Sequence, residues 1–267
     1  MAEKPERPQF GAKDFVHLHL HTDYSLLQST IQLKHLAKRL NELDQKACAI
    51  TDYGNMYGAV SFFNTMNASG IQPVVGYEAF LKPGSRFDRS AAVEAGEKGY
   101  YSLILLAQNL EGYQNLVHLS SKAFTEGFLH KPLIDMELLG ERNAGLICLS
   151  GGKDGTVGHF LASGDEDKAL ARANGIKEIF GSERFFLEIQ DHSDERGKKL
   201  TNDTVSLSKK GGFQIVATND VHYLNKDDER AQQLLICIGE GRTIGENSHD
   251  TTESIRYLRS AEEMWNI

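Results

Sequence analysis

The chain has 267 residues, of which 40% are hydrophobic and 25% charged, and its formal net charge is −8 at pH 7. These values are typical of a globular protein with one large α/β domain or two small ones. No apolar run approaches the roughly 18 residues of a membrane-spanning helix, so we expect no membrane partner. The acidic balance also argues against a domain that grips a nucleic-acid backbone by itself.

The three cysteines, Cys48, Cys148 and Cys237, each lie inside an apolar run and lack CxxC spacing. Buried free thiols of this kind are typical of proteins kept in a reducing compartment. The N-terminal residues are polar and contain no signal-peptide core. We therefore predict a cytoplasmic location.

Apolar periodicity divides the chain into short strands that alternate with helices. In chain order it predicts strand 15–20, helix 33–43, strand 46–51, helix 56–68, strand 73–80, a surface insertion over 82–99, strand 101–107 and helices 110–125 and 135–139. It then predicts strand 145–150, helices 156–162 and 165–180, strand 184–189, helix 195–210, strand 214–218 and helix 227–238. An irregular segment over 239–252, a short extended piece at 256–258 and a helix from 261 complete the chain.

Seven strands that alternate with helices indicate parallel strands joined by crossover helices, in a barrel or an open sheet. No GxGxxG or P-loop motif follows a strand, which argues against a nucleotide-binding sheet. Conspicuous polar residues instead follow the first, second, third, sixth and seventh strands. Side chains that converge from many strand ends are typical of a barrel with its chemistry at one rim.

The first strand carries three histidines, His17, His19 and His21, which alternate with apolar residues. Because successive side chains of a strand point to opposite faces, we expect these imidazoles to share one face and Val16, Leu18 and Leu20 to pack on the other. Imidazole is the commonest metal ligand, so the triplet predicts a metal site. The alternative is that one or two of these histidines only form hydrogen bonds inside a core.

Further candidate ligands lie at other strand ends: Glu78 near the end of the third strand, and Asp220 and His222 after the seventh. Together with His19 and His21 they could hold a Zn, Mn or Fe ion and leave a position open for water. Such a water is a nucleophile near neutral pH and suits hydrolysis of phosphate esters. The alternatives are a turn-forming role for Asp220 and a buried salt bridge for Glu78.

Three more polar residues fall near the same predicted rim. Asp52 follows the second strand and His192 follows the sixth. Either could orient a metal ligand by a hydrogen bond without binding the ion itself. His17 shares the face of the first strand and could orient another histidine.

Several stretches carry a resemblance to a known family: HLHLHTDYSLL, AITDYGNMYGAVSFF, GIQPVVGYEAF, GYQNLVHLSSKAF, GLICLSGG, RFFLEIQDH and IVATNDVHYL. They resemble the PHP (polymerase and histidinol phosphatase) domain, and more narrowly its version at the N-terminus of bacterial replicative DNA polymerase α subunits. The resemblance covers residues 15–259. It implies an α/β fold, a distorted (β/α)7 barrel of PHP type.

In complete members of this family nine residues hold up to three metal ions. Five positions match that pattern here: His19, His21, Glu78, Asp220 and His222. Four positions depart from it: Gln28 replaces an Asp, Tyr53 and Ser102 each replace a His, and Gly152 replaces a Cys or His. These replacements are neutral or have no ligand atom, so we expect one ion at most and no trinuclear cluster.

The resemblance also implies a function and a domain division. We expect a flexible leader over 1–14, the barrel over 15–240, and an extension over 241–267 towards a polymerase palm outside this chain. The domain would stabilise the rest of the polymerase α subunit and dock a proofreading exonuclease subunit, and it would meet DNA only through the full polymerase. The polymerase reaction itself would belong to the palm.

Two alternatives remain open. The first is an active metal-dependent 3′–5′ exonuclease or phosphoesterase. The second is a free-standing enzyme similar to histidinol phosphatase, which the polymerase-type stretches GYQNL and TNDVHYL disfavour.

Overall fold

The computed structural model describes residues 8–89, 96–190, 194–243 and 255–266. Within these ranges the strands are β1 Ala47–Ile50, β2 Gln72–Leu81, β3 Tyr101–Ala107, β4 Phe128–Leu129, β5 Lys131–Ile134, β6 Leu146–Leu149, β7 Phe185–Gln190 and β8 Gln214–Thr218. The helices are α1 Leu33–Glu42, α2 Ala59–Ala68, α3 Leu110–Thr125, α4 Met136–Glu141, α5 Thr156–Ala162, α6 Glu166–Phe180, α7 Glu195–Gly211, α8 Glu229–Glu240 and α9 Ala261–Trp265. Short 3₁₀ turns cover Gly152–Asp154 and Lys226–Asp228.

The sheet is curled, and the segment 17–20 closes it. The sheet order is β4-β5-β2-β3-β6-β7-β8, with β1 paired to β2. His17 forms a parallel bridge with Cys48 in β1, while Leu20 forms one with Val221 just after β8. The segment therefore lies between β1 and the residues that follow β8. This closure gives a distorted barrel with helices outside it. Its seven members are the closing segment and the strands β1, β2, β3, β6, β7 and β8. The predicted fold class is confirmed.

The direction of β3 differs from the prediction. This strand is antiparallel to both of its neighbours, β2 and β6, whereas the alternation of strands and helices predicted parallel strands throughout. The described part of the connection between β2 and β3 contains no helix that could carry the chain back to the other end of the sheet. Consequently β3 starts at the rim where β2 ends, and Ser102 pairs with Phe80 there.

The first strand is also less regular than expected. Residues 15–20 form only the two isolated bridges, and the chain bends at His19. Leu18 packs against the apolar cluster inside the barrel, whereas Leu20 belongs to a cluster with α1 and α2 outside it. The expectation that these two leucines share one face is therefore wrong, because the bend breaks the period of two.

The inside of the barrel changes from apolar to polar along its length. Its apolar part contains Ala49, Ile104, Leu106 and Leu149, with Leu18, Val74, Ile147, Phe186 and Val216 packed against them. Nearer the rim the inward positions of the same strands are polar. Since inward positions recur every second residue, Val74 leads to Glu78, Phe186 to Glu188 and Val216 to Thr218. A larger apolar layer joins the outer face of the sheet to helices α3 to α7.

The remaining predictions concern the connections and the chain ends. The hairpin of β4 and β5, which turns at His130, was not predicted. The extended piece at 256–258 is confirmed, because Tyr257 bridges Tyr223. Most of the irregular segment over 239–252 lies outside the described residues. None of the described helices is both long enough and apolar enough to cross a bilayer.

The close contact of α3 with the turn before β6 gives a stability test. An alanine Cβ at Gly112 would lie 1.9 Å from the carbonyl oxygen of Gly145, whereas one at Gly140 in α4 would meet nothing within 4 Å. Gly112→Ala should therefore lower the free energy of unfolding by about 1–3 kcal/mol through overpacking. Gly140→Ala should leave it unchanged or raise it by up to about 1 kcal/mol. Urea unfolding followed by circular dichroism measures both, and equal effects would contradict the close contact.

Candidate metal centre

Five buried side chains meet at the barrel rim, and we refer to them as the centre: His19, His21, Glu78, Asp220 and His222. The closing segment and its end supply His19 and His21, β2 supplies Glu78, and the turn after β8 supplies the other two. Asp220 Oδ1 lies 3.4 Å from His19 Nε2, 3.3 Å from His21 Nε2 and 3.0 Å from His222 Nε2. The structure thus brings together the residues that the sequence predicted as ligands.

His19 lies between carboxylates on both sides of its ring. Its Nε2 is 2.9 Å from Glu78 Oε2, and its Nδ1 is 2.8 Å from Glu188 Oε1. Burial opposes a charge on this imidazole, but Glu188 and Asp220 outweigh it and raise the pKa of His19 well above its usual value. With an acceptor at each nitrogen, the imidazole is held as the protonated form in the metal-free chain.

His21 Nε2 faces two carboxylate oxygens at once, Glu78 Oε2 and Asp220 Oδ1, each at 3.3 Å. It lacks hydrogen-bond geometry to any partner among the described residues. Burial opposes protonation, but Asp220 and Glu78 raise the pKa of this histidine. Two carboxylate oxygens around one buried ring nitrogen mark a position that a cation would fill.

Asp52 supports His21 from behind. Its Oδ1 accepts hydrogen bonds at 2.6 Å from the Thr22 backbone N–H and from the Ser25 hydroxyl. Ser25 Oγ in turn lies 3.1 Å from His21 Nδ1. This chain of contacts fixes the ring orientation, which is how ligating histidines are commonly held.

Asp220 and His222 share a strained turn. Asp220 has a φ of +47°, a left-handed conformation that Asp tolerates better than most residues. His222 Nδ1 donates to the Gln28 carbonyl oxygen at 2.7 Å, so its Nε2 is turned towards Asp220. Burial lowers the pKa of His222 to about 4 despite Asp220, and the ring is neutral at pH 7.

The distances within each of two three-residue groups of the centre fit one metal ion. Ligand atoms bound at about 2.1 Å to one ion in tetrahedral or octahedral geometry lie roughly 3.0–3.4 Å apart. The contacts in the centre range from 2.9 to 3.4 Å. One group consists of His19, His21 and Glu78, and the other of His21, Asp220 and His222. Within each group, the ligand atoms all lie within 4.8 Å of one another.

The charges of the centre balance in two ways. Three buried carboxylates meet here, those of Glu78, Asp220 and Glu188. Burial would raise the pKa of Glu78, but hydrogen bonds with His19 and His21 bring it down to about 2. Burial would also raise the pKa of Asp220, but nearby cations, above all Arg256, keep it well below its usual value. Arg256 and two protonated imidazoles neutralise the carboxylates, and so would Arg256 and one divalent ion.

Three of the four positions that depart from the family pattern lie beside the centre without a carboxylate, imidazole or thiol for an ion, and the fourth, Gln28, contacts His222 through its backbone carbonyl oxygen. Ser102 donates a short hydrogen bond to Glu78 Oε1, and Tyr53 stacks on His21 with ring centroids 4.0 Å apart. Burial, with Glu78 and Asp220 nearby, raises the pKa of Tyr53 well above its usual value, so its phenol stays neutral. A Cβ at Gly152 would lie 2.8 Å from Gln190 Oε1. The Gln190 amide thus occupies the space beside the missing ligand.

Two further histidines, His17 and His192, were named from the sequence as neighbours of the ligands. His17 is buried elsewhere, and its Nε2 lies 2.9 Å from the Arg259 carbonyl oxygen. Burial lowers the pKa of His17 to about 4. It therefore orients no ligand, contrary to the expectation, because the bend at His19 turns the next two histidines to the rim. His192 lies outside the described residues.

Two residues beside the centre were missed in the sequence. Glu188 occupies an inward position of β7 and binds His19, and Arg256 Nη2 lies 3.5 Å from Asp220 Oδ2. A single charged residue within the apolar stretch RFFLEI was the available signal for Glu188. No comparable pattern marked Arg256, since it lies 34 residues beyond His222 in the chain.

A cleft opens above the centre. Its volume is about 630 Å³, and Glu78, Ser102 and Tyr53 line it together with Phe80, Tyr100 and Lys131. Lys131 Nζ lies 4.4 Å from the centre of the Phe80 ring. Glu78 is thus reachable from solvent through a cleft with aromatic and cationic walls.

The fold and the rim cluster define a barrel protein with a candidate metal centre. The family model of the PHP domain matches residues 17–192, and the chain belongs to this family. The resemblance that the sequence motifs indicated is therefore confirmed.

Similar proteins narrow the relationship. The chain is 41% identical over 252 residues to DNA polymerase III subunit alpha of Treponema pallidum, and 43% identical over 259 residues to that of Deinococcus radiodurans. Both matches cover 94% of this chain but only 21% and 19% of the relatives, so the chain spans about a fifth of their length. A solved structure described as a metal-dependent phosphoesterase from Bifidobacterium adolescentis has 13% identity and a TM-score of 0.47, covering 94% of this chain and 99% of that chain.

Proton release should accompany ion binding. The neighbouring carboxylates raise the pKa values of His19 and His21 and favour their protonated forms, whereas metal ligation needs neutral imidazoles. Binding of Zn²⁺ should therefore release protons, and the affinity should fall as the pH falls. Calorimetric titration with ZnCl₂ in two buffers of different ionisation enthalpy measures the proton count. Identical binding enthalpies in the two buffers would contradict the protonated centre.

Proposed function

We propose that the chain is the N-terminal PHP domain of a replicative DNA polymerase III α subunit, acting mainly as a scaffold. The observation that carries this proposal is the centre itself, in which Tyr53, Ser102 and Gly152 stand where a complete site would have ligands. Ser102 and Tyr53 contact the remaining ligands Glu78 and His21, and Gly152 has no side chain that could bind an ion. The relatives named DNA polymerase III subunit alpha support the assignment to that subunit.

The scaffold keeps one ion under this proposal. His19 and His21 with Glu78, or His21 and His222 with Asp220, could each hold a Zn, Mn or Fe ion. When bound, the ion would supply Lewis acidity and a water of lowered pKa. The chain's own contribution is orientation: Glu188 holds His19, Ser25 holds His21 and the Gln28 carbonyl holds His222.

Elemental analysis of protein purified without chelator tests the single ion. We expect about one Zn, Mn or Fe per chain, lost in Asp220→Asn because that carboxylate contacts all three imidazoles. Asp203→Asn, which removes an exposed partner of Lys199 on α7, is the control and should keep the ion. More than two ions per chain would refute the proposal that the four replaced positions no longer bind metal. A chain that contains no ion would refute the proposal that one ion is kept.

We also propose that the domain docks a proofreading exonuclease subunit. An exposed aromatic surface supports this part: Tyr57, Phe124 and Phe128 are 62%, 38% and 49% exposed. The ring of Phe124 lies between the other two, with centroid distances of 6.2 Å to Tyr57 and 6.1 Å to Phe128. Contiguous exposed aromatic groups are typical of protein–protein contacts. DNA would reach the domain only as part of the full polymerase.

Co-purification tests the docking. The tagged chain should retain the proofreading subunit, and Phe124→Ser should weaken retention at least about tenfold if this ring is an anchor. Leu110→Ser, at the other end of α3 and 70% exposed, is the matched control and should bind normally. A folded wild-type chain that retains no exonuclease would refute docking.

Metal-dependent hydrolysis of phosphate esters, including 3′–5′ exonuclease action, is the second candidate function. The cleft above Glu78 favours it, because a substrate could reach the centre from that side. It requires EDTA-sensitive hydrolysis of p-nitrophenyl phosphate or of a single-stranded DNA end that is lost in Asp220→Asn. Hydrolysis that survives this substitution would come from a contaminant.

Location and domain division complete the proposal. The three cysteines are buried and unpaired, which supports the reducing cytoplasm. We propose a barrel over 15–240 and an extension over 241–267 towards the polymerase palm. Asn219 Nδ2 donates to the carbonyl oxygens of Ile255 and Tyr257, so residues 255–257 of the extension pack against the turn after β8.

A further inference from the structure

The segment that follows residue 254 is bonded to the turn that carries Asp220 and His222. The His222 N–H donates to the Arg256 carbonyl oxygen at 2.8 Å. On the other side of Arg256, the Asn219 amide donates to Ile255 and Tyr257 at 2.9 and 2.8 Å. The backbone of Arg256 is therefore fixed beside two residues of the centre.

The guanidinium of Arg256 faces the same two residues. Its Nη2 lies 3.5 Å from Asp220 Oδ2, and its Nη1 lies 3.5 Å from His222 Nε2. The side chain is 17% exposed, so water screens this contact only weakly. The two carboxylate oxygens of Asp220 therefore face different partners: Oδ1 faces the histidines and Oδ2 faces Arg256.

This division limits how many ions Asp220 could serve. A carboxylate that bridges two ions about 3.5–4 Å apart commonly uses one oxygen for each ion. Here the second oxygen already faces a fixed positive charge, which would repel a further cation. The guanidinium cannot lose its proton in a protein, so the charge is present at every working pH.

We propose that Arg256 is a permanent cation of the centre, which neutralises Asp220 and restricts the site to a single divalent ion. The proposal rests on the single-ion function proposed above and adds a residue that opposes further positive charge at Asp220. Arg256 is a positioning residue, because it acts through Asp220 and binds no ion itself. Without it, the three carboxylates would exceed the charge of one divalent ion by one negative charge.

Arg256→Gln and Arg256→Lys test this role, with Arg172→Gln as the matched control. Arg172 binds the Glu97 carboxylate at 2.6 Å on another part of the surface. Calorimetric titration with ZnCl₂ alone gives affinity and stoichiometry, and thermal unfolding in EDTA gives the stability of the metal-free chain. If Arg256 only held the fold of the centre together, its removal would lower both stability and Zn²⁺ affinity.

We expect the two quantities to move in opposite directions in Arg256→Gln. The unfolding midpoint in EDTA should fall by several degrees, because Asp220 loses its fixed partner. Zn²⁺ should bind at least about tenfold more tightly, because a neighbouring positive charge no longer opposes it. Arg256→Lys should remain close to the wild type in both measurements, and Arg172→Gln should change stability alone.

Unchanged or weaker Zn²⁺ binding in Arg256→Gln would overturn the proposal. If the wild-type chain binds no Zn²⁺, the proposed single-ion function fails while the role of Arg256 is still tested. In that case a gain of Zn²⁺ binding in Arg256→Gln supports the role, and no gain overturns it.

Discussion

The buried Asp220 Oδ1 lies 3.0–3.4 Å from three imidazole nitrogens. This contact joins the first and the last segments of the barrel wall. His19 lies in the closing segment and His21 directly after it, whereas Asp220 follows the last strand of the sheet. A buried carboxylate without positive partners would cost several kcal/mol, so barrel closure and charge balance depend on each other. Two protons or one divalent ion can supply the charge that Arg256 leaves unbalanced. The centre therefore stays neutral in either state.

This neutrality explains how a site with few ligands keeps its shape. Ser102 binds Glu78, Tyr53 stacks on His21, and the Gln190 amide takes the space beside Gly152. Each of these groups is neutral and adds no charge to the centre. The remaining ligands are thus oriented by the fold rather than by a cluster of ions, which agrees with the scaffold role proposed above.

The layered interior of the barrel places this chemistry at one end. Apolar side chains such as Val74, Phe186 and Val216 fill the inner positions away from the rim. Two or four residues further on, the same inward rows present Glu78, Glu188 and Thr218. The apolar half supplies the packing that holds the strands, and it keeps the carboxylates in a region of low dielectric. Their contacts with the imidazoles are stronger for that reason.

Local patterns in the sequence determined much of this arrangement. Apolar periodicity located most helices and seven strands, because the packing of one face repeats every two or 3.6 residues. His19, His21, Glu78, Asp220 and His222 could be named since strand ends of a barrel meet at one rim. The tertiary structure alone decided the reversed direction of β3, the bend that removes His17, and the roles of Glu188 and Arg256. Glu188 is 169 residues from His19 in the chain, and no local pattern encodes a contact that only barrel closure creates.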